Sequence, residues 1–280
     1  MPKPTLIFTD VDRTLLGPRG ELDSLRSLLE KLRLLGVPVI PVTSRTSGEV
    51  LLLMRSLPLG FVGRARVAVV ESGGAILLSR ELAWLSAKAS RNPTLPSDFA
   101  EVPLARPLIE IDKLLDELLA EADCVDAIRF SKAEAREIAR ETGMKLEEAE
   151  LAKTRRYDEA LILKDPACRR RFRLLALKAG LEVLEGVKII HVGSGIGKGR
   201  ALAFLLRNLL LLEKKPLVVC LGDSEADRPM LESCDVSVLV PWPDGSYRAD
   251  LKKAVYIKSP FPASLGWAWT LEKLVLPRIT

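Results

Sequence analysis

Short apolar runs alternate with stretches of helical period along the first seventy residues. Thr5-Leu6-Ile7-Phe8-Thr9 reads as a buried strand reaching to about residue 11. Between Glu21 and Leu35, Leu22, Leu25, Leu28, Leu29 and Leu32 fall on one helical face, and Gly36 is a natural stop. The run Val37–Val42 predicts a second strand, and 46–56 a second helix. Near-continuous apolar strands separated by amphipathic helices predict an α/β fold, a Rossmann-like parallel sheet covered on both faces. A third strand at 67–70 runs into the turn Glu71-Ser72-Gly73-Gly74.

The pattern then changes. Asn92-Pro93-Thr94-Leu95-Pro96-Ser97 is a loop by composition. Beyond it we expect a helix near 110–122, a strand near 125–130 and a helix opening at Ser131, with Glu134 placed for a capping box. A helix near 146–155, a strand near 159–164 and a helix near 167–179 follow. This mixed segment is read as an inserted α+β lobe spanning 83–186, with 1–82 and 187–280 forming the core. The parallel pattern is expected to resume at Val187, with later strands near 217–221, 236–240 and 254–258. A length of 280 residues suits a core plus one inserted lobe.

Chemistry gathers where the apolar runs end. Asp10 and Asp12 leave the first run two residues apart, and like charges this close need a cation or a shared proton. A divalent metal beside a strand-end carboxylate points to phosphoryl chemistry. The second run ends in Thr43-Ser44-Arg45, the run at 188–192 leads to Gly193-Ser194-Gly195-Ile196-Gly197-Lys198-Gly199, and the run at 217–221 ends in Gly222-Asp223-Ser224-Glu225-Ala226-Asp227. Open α/β sheets bind ligands beyond the carboxyl ends of their strands, so these distant groups can converge. The glycine-rich run is not a nucleotide loop: the Gly197-Lys198 pair would need glycine at 192, which is Val192.

In Asp10-X-Asp12-X-Thr14, Thr43, Lys198 and Gly222-Asp223-X-X-X-Asp227, taken in order, the chain resembles the haloacid-dehalogenase-like (HAD) phosphatases. The insert narrows the match. Glu141 to Ala152, followed by Arg155-Arg156-Tyr157-Asp158-Glu159, resembles the type IIB cap of mannosyl-3-phosphoglycerate phosphatases. Pro41-Val42-Thr43-Ser44-Arg45-Thr46 and Gly266-Trp267 fit the same group. The resemblance implies Asp10 as nucleophile, Asp12 as acid/base, and Thr43 and Lys198 as phosphate-binding groups. It implies Mg²⁺ held by the Asp10 carboxylate, the Asp12 backbone carbonyl and Asp223, with Asp227 ligating through water or orienting Lys198. Arg45, Gly143, Met144, Lys145, Glu148, Arg156 and Glu159 are the implied substrate contacts. Arg13 stands where the family usually has Gly, and Ala226 where it usually has Asn, which implies weakened metal affinity.

Composition narrows the remaining choices. The net charge of +5 comes from dispersed Lys and Arg, which fits steering of a small anionic substrate better than nucleic-acid binding. No apolar stretch reaches a membrane span; the stretch Ala201 to Leu212 is broken by Arg207 and Asn208. Cys124, Cys168, Cys220 and Cys234 lack metal-ligand spacing and are read as buried thiols of a cytoplasmic monomer or homodimer. The single histidine, His191, is read as a packed strand residue. Absent Gln, two Asn and 28% charged residues suggest a hot habitat. The reading is therefore a phosphatase acting on 2-O-mannosyl-3-phosphoglycerate or its glucosyl analogue, serving compatible-solute synthesis. A sucrose- or trehalose-phosphate-like phosphatase is the alternative, and a silent anionic-metabolite or nucleic-acid binding protein the other class.

Overall fold

The computed structural model describes residues 4–17, 22–208, 215–251 and 256–279. The chain opens with β1 (Thr5–Thr9), α1 (Leu22–Leu34), β2 (Val39–Pro41) and α2 (Ser47–Ser56). Four strands follow: β3 (Phe61–Val62), β4 (Ala65–Val70), β5 (Ala75–Ser79) and β6 (Phe99–Pro103). The cap contributes α3 (Asp112–Glu121), β7 (Ile128–Arg129), α4 (Ala135–Thr142), α5 (Leu146–Ala152), β8 (Asp158–Ile162), α6 (Pro166–Lys178), β9 (Glu182–Glu185) and β10 (Ile189–Gly193). Then come α7 (Lys198–Asn208), β11 (Leu217–Gly222), α8 (Arg228–Glu232), β12 (Val236–Leu239), β13 (Ile257–Lys258) and α9 (Ala263–Thr270).

The central sheet is parallel, in the order β13-β12-β11-β1-β2. Its strands are buried on both faces because alternate residues feed opposite cores. Ile7 packs with Leu25, Leu29 and Trp267 on one face, whereas Phe8 packs with Ile40, Leu202 and Leu231 on the other. Each such side chain contributes roughly 1.5–3 kcal/mol by leaving water. β1 lies between β11 and β2, so the carboxyl ends of three strands open side by side. An antiparallel sheet, β3-β4-β5-β6, joins this edge where the Thr43 amide donates to the Val69 carbonyl at 3.0 Å.

The cap carries its own antiparallel sheet, β7-β8-β10-β9. One face buries Leu161, Leu163, Ile190 and Val192 against Leu115 of α3 and Phe172 of α6; the other buries Ile128, Ala160 and Ile162 against Ile138 of α4 and Ala149 of α5. The run at 188–192 thus belongs here, antiparallel to β8 and β9, and does not resume the parallel sheet. A five-residue apolar run carries no sign of strand direction, which explains the misreading.

Three other local expectations change. Ser131 opens no helix: its amide donates to Glu159 Oε1 at 3.1 Å, its hydroxyl binds the same carboxylate, and α4 begins only at Ala135. The strand expected at 125–130 shortens to β7. Cys124 and Cys168 form a disulfide, with Cα atoms 5.3 Å apart, because packing of α3 on α6 brings the end of one helix to the start of the other. Cys220 and Cys234 are buried outside this bond. Glu21, residues 209–212 of the apolar stretch and residues 254–255 of the last expected strand lie outside the described residues.

The disulfide closes a 44-residue separation, for which chain entropy gives a stabilisation of about 4 kcal/mol. Thiol titration of the unfolded, unreduced protein should therefore count two titratable thiols, and four after reduction. The Cys124→Ser, Cys168→Ser double variant should melt several degrees lower, measured by calorimetry.

Candidate active site

Asp10 emerges from β1 with its amide donating to the Leu221 carbonyl of β11 at 2.9 Å. On the other side, Val42 donates to the Thr9 carbonyl at 2.8 Å, which sets Thr43 beside Asp10. Thr9 Oγ1 donates to the Asp10 carbonyl at 2.7 Å and accepts from Trp267 Nε1 at 3.0 Å. The fully buried Trp267 therefore braces the backbone of the acidic loop from behind.

Lys198 reaches the pocket from the first turn of α7. Gly73 admits that turn: its φ is +88°, and a Cβ there would lie 2.4 Å from the Gly197 carbonyl. Lys198 Nζ donates to Asp10 Oδ1 and to Asp227 Oδ1, each at 2.5 Å. Asp227 folds back over Gly222, where a Cβ would lie 2.5 Å from its own Cβ. Its second oxygen accepts from the Asp223 and Ser224 amides at 3.1 and 3.0 Å and from Ser224 Oγ at 2.7 Å. Asp223 accepts from Thr14 Oγ1 and Arg13 Nε, both at 3.2 Å.

Asp10, Asp223 and Asp227 each offer a carboxylate oxygen within 4.8 Å of the others. Burial, followed by the Asp227 and Asp223 charges, raises Asp10 well above the carboxylate range against the pull of Lys198. Asp223 is raised by burial and Asp227, and lowered by Arg13 and Lys198. Burial opposes the charge on Lys198, but Asp10 and Asp227 outweigh it and raise its pKa, so it stays an ammonium. One oxygen, Asp10 Oδ2, is buried with no hydrogen-bond partner. Three buried carboxylates that bring oxygens within 4.8 Å of one another form a hard donor set that fits a small divalent cation such as Mg²⁺.

Asp12 lies toward the mouth and pairs with Arg45, whose Nη2 and Nε reach its two oxygens at 2.6 and 3.1 Å. Burial raises Asp12, but Arg45 outweighs it and holds the carboxyl below its usual range. Thr43 is buried, its Oγ1 accepting from the Arg45 amide at 3.2 Å. The cap reaches this point too. Glu148 adds to the field that raises Arg45, and the Leu151 carbonyl accepts from Thr46 Oγ1 at 3.0 Å.

No family model matches the chain. A mannosyl-3-phosphoglycerate phosphatase from Aeropyrum pernix is 32% identical over 97% of this chain and 95% of its own length. The chain belongs to the mannosyl-3-phosphoglycerate phosphatase family. A glucosyl-3-phosphoglycerate/mannosyl-3-phosphoglycerate phosphatase from Persephonella marina is 29% identical over 96% of this chain and 97% of its own. Among solved structures, a haloacid dehalogenase-like hydrolase from Bacteroides thetaiotaomicron superposes with a TM-score of 0.67 at 18% identity, covering 97% of this chain and 100% of that one. A sucrose-phosphatase from Synechocystis, in complex with sucrose and phosphate, gives 0.58 at 14% identity, covering 96% and 97%. The fold is thus that of HAD-like hydrolases, a parallel-sheet core with an inserted α+β cap. Among the described residues no helix is long and apolar enough to cross a membrane.

Within this phosphatase the residues expected to touch substrate separate into two groups. Arg45 and Glu148 lie at the mouth beside Asp12. Arg156 and Glu159 are engaged elsewhere. Arg156 Nη1 donates to Glu101 Oε2 at 2.5 Å, and Glu159 accepts from Arg129 Nε at 3.0 Å and from Ser131. Gly143 adopts φ 81° at the end of α4, and its amide donates to the Ala139 carbonyl at 2.8 Å. The Met144 and Lys145 amides donate to Thr142 Oγ1 and Glu148 Oε2 at 3.2 and 3.0 Å, so all three amides are used within the cap.

Sequence reasoning passed over a buried seam between core and cap. Glu71 Oε2 accepts from the Arg156, Tyr157 and Asp158 amides at 2.8, 2.7 and 3.2 Å. Arg155 joins Asp158 Oδ1 at 2.6 Å to the Ser44 carbonyl at 2.6 Å, and His191 Nδ1 lies 2.9 Å from Asp158 Oδ2. The Arg155/Asp158 spacing of three residues was the available signal, hidden in a charged stretch. Burial and Asp158 push Glu71 up to about 8 from 4.5. Burial opposes Asp158, but Arg155 and His191 lower it to about 2 from 3.8.

A raised acid holds a proton that the unfolded chain releases. Its stabilisation is complete below 4.5 and lost as pH rises through about 8, whereas that of Asp158 is lost only as pH falls from 3.8 through about 2. Melting temperature should therefore decline between about pH 4.5 and pH 8, and Glu71→Gln should reduce that decline by roughly 10 °C, measured by thermal melts across the range.

Proposed function

We propose that this phosphatase hydrolyses 2-O-mannosyl-3-phosphoglycerate, or its glucosyl analogue, to the glycosylglycerate and phosphate through an aspartyl-phosphate on Asp10. The observation that carries the mechanism is the asymmetry of Asp10: Lys198 holds Oδ1, while Oδ2 is buried and unpartnered. That free oxygen attacks phosphorus as the ester oxygen leaves. Asp12 gives the leaving oxygen a proton and later takes one from the water that attacks the phosphoenzyme, restoring Asp10 and releasing phosphate. Asp12 needs a proton for the first step, and its pairing with Arg45 disfavours one. The substrate's own carboxylate competes for that guanidinium and frees Asp12 to carry the proton.

Asp10 and Asp223 are the residues proposed to hold Mg²⁺ with the Asp12 carbonyl, while Asp227 orients Lys198. Bound there, the ion screens the nucleophile from the phosphate dianion and stabilises its equatorial oxygens. Thr43 and Lys198 bind the same oxygens from the protein side. The cap, proposed to run from about residue 104 to 194 by sheet membership, covers the pocket with Glu148 and Lys145 nearest the sugar. The reaction is placed in the cytoplasm with a small sugar phosphate as partner. The Cys124–Cys168 bond is compatible with intracellular proteins from hot habitats.

Phosphate release from a panel of sugar phosphates, with Mg²⁺ and with chelator, tests the proposal. Turnover of the glycosyl-3-phosphoglycerates should exceed that of sucrose- or trehalose-phosphate by at least about 100-fold and vanish with chelator. Asp10→Asn should remove at least about 1,000-fold of activity with the melting transition retained. Residual turnover near wild type would refute the nucleophile, and preference for sucrose-phosphate would refute the substrate.

A further inference from the structure

Arg13 has no part in the mechanism above, yet it touches the acidic cluster. It is a side-chain-bearing residue at φ 64°, the left-handed region that typically costs about 1 kcal/mol. Its Nε donates to Asp223 Oδ2 at 3.2 Å, and its guanidinium carbon lies 4.7 Å from the centre of the Trp242 ring. Arg248 lies at the same 4.7 Å from that ring. With Thr14 on the other oxygen, Asp223 is fixed at both ends, once by a permanent positive charge. Ala226 offers no side-chain donor in the same loop.

We propose that Arg13 sets the charge of the pocket, weakening its grip on the divalent ion and strengthening its grip on the phosphate dianion. The inference rests on the metal reading of the preceding section. With all three acids ionised, as binding a cation requires, Asp10, Asp223 and Asp227 face two fixed cations, Lys198 and Arg13, which leaves one net negative charge. The Asp12–Arg45 pair adds none. A divalent ion turns that into one net positive charge, so an arriving phosphate dianion meets an attractive pocket. Without Arg13 the ion meets two negative charges and binds more tightly, but the loaded pocket is neutral toward the dianion. Arg13 acts through Asp223 and is a positioning residue; its ring contact with Trp242 keeps the guanidinium over the carboxylate.

The test is calorimetric, on the full chain without sugar phosphate. Mg²⁺ is titrated into the metal-free protein, and inorganic phosphate into the Mg²⁺-saturated protein. Arg13→Met should tighten Mg²⁺ about 10-fold and weaken phosphate about 10-fold, while Arg13→Lys should restore both in part. Arg13→Gly, which relieves the left-handed backbone, should repeat the opposed shifts in a protein at least as stable. A merely structural role moves both constants the same way. Shifts of the same sign, or neither constant moving while wild type binds Mg²⁺, would overturn the assignment. Wild type binding no Mg²⁺ at all would instead overturn the metal reading and this inference with it.

Discussion

One buried ammonium governs the arrangement of this pocket. Lys198 sits between Asp10 and Asp227, and without it three buried carboxylates would face one another unmatched. Removing one partner of such a cluster typically costs 3–5 kcal/mol, roughly, because a buried charge loses its match. Much of the local chain geometry serves this contact. Gly73 lets the start of α7 approach, Gly222 lets Asp227 fold back, and Trp267 supports the backbone of Asp10 through Thr9. The carboxyl ends of β11, β1 and β2 supply the rest, as expected at the crevice of an open parallel sheet.

A second polar seam fixes the cap relative to that crevice. Glu71 collects three consecutive cap amides, and Arg155 spans from Asp158 to the carbonyl of Ser44, between Thr43 and Arg45. Cap placement and the geometry of the Thr43–Arg45 loop are thereby coupled through one guanidinium. Burial of charged groups is tolerated because each has several partners.

The core was largely legible in the chain because strand-end chemistry survives local uncertainty. Asp10, Thr43, Asp223 and Asp227 each follow a strand of the parallel sheet, which brings them together wherever the intervening helices end, and Lys198 joins them from the start of α7. The cap was less legible. The run at 188–192 gave no sign of its direction, and Ser131 looked like a helix cap until Glu159 claimed it. Cys124 and Cys168 became neighbours only through the packing of α3 on α6. Glu71 was overlooked because a lone acid carries no local pattern, and Arg155 because its three-residue spacing to Asp158 is hidden in a charged stretch. The nearest amide bound by Glu71 lies 85 residues away, and the Ser44 carbonyl 111 residues from Arg155.

The free oxygen of Asp10 is the centre of the account, and chemical trapping addresses it directly. Acid-quenched enzyme, caught during turnover of glycosyl-3-phosphoglycerate, is reduced with borohydride and mapped by peptide mass spectrometry. The account predicts conversion of one aspartate, Asp10, to homoserine, dependent on substrate. Conversion at Asp12 or Asp223 instead, or turnover with no modified aspartate, would contradict it.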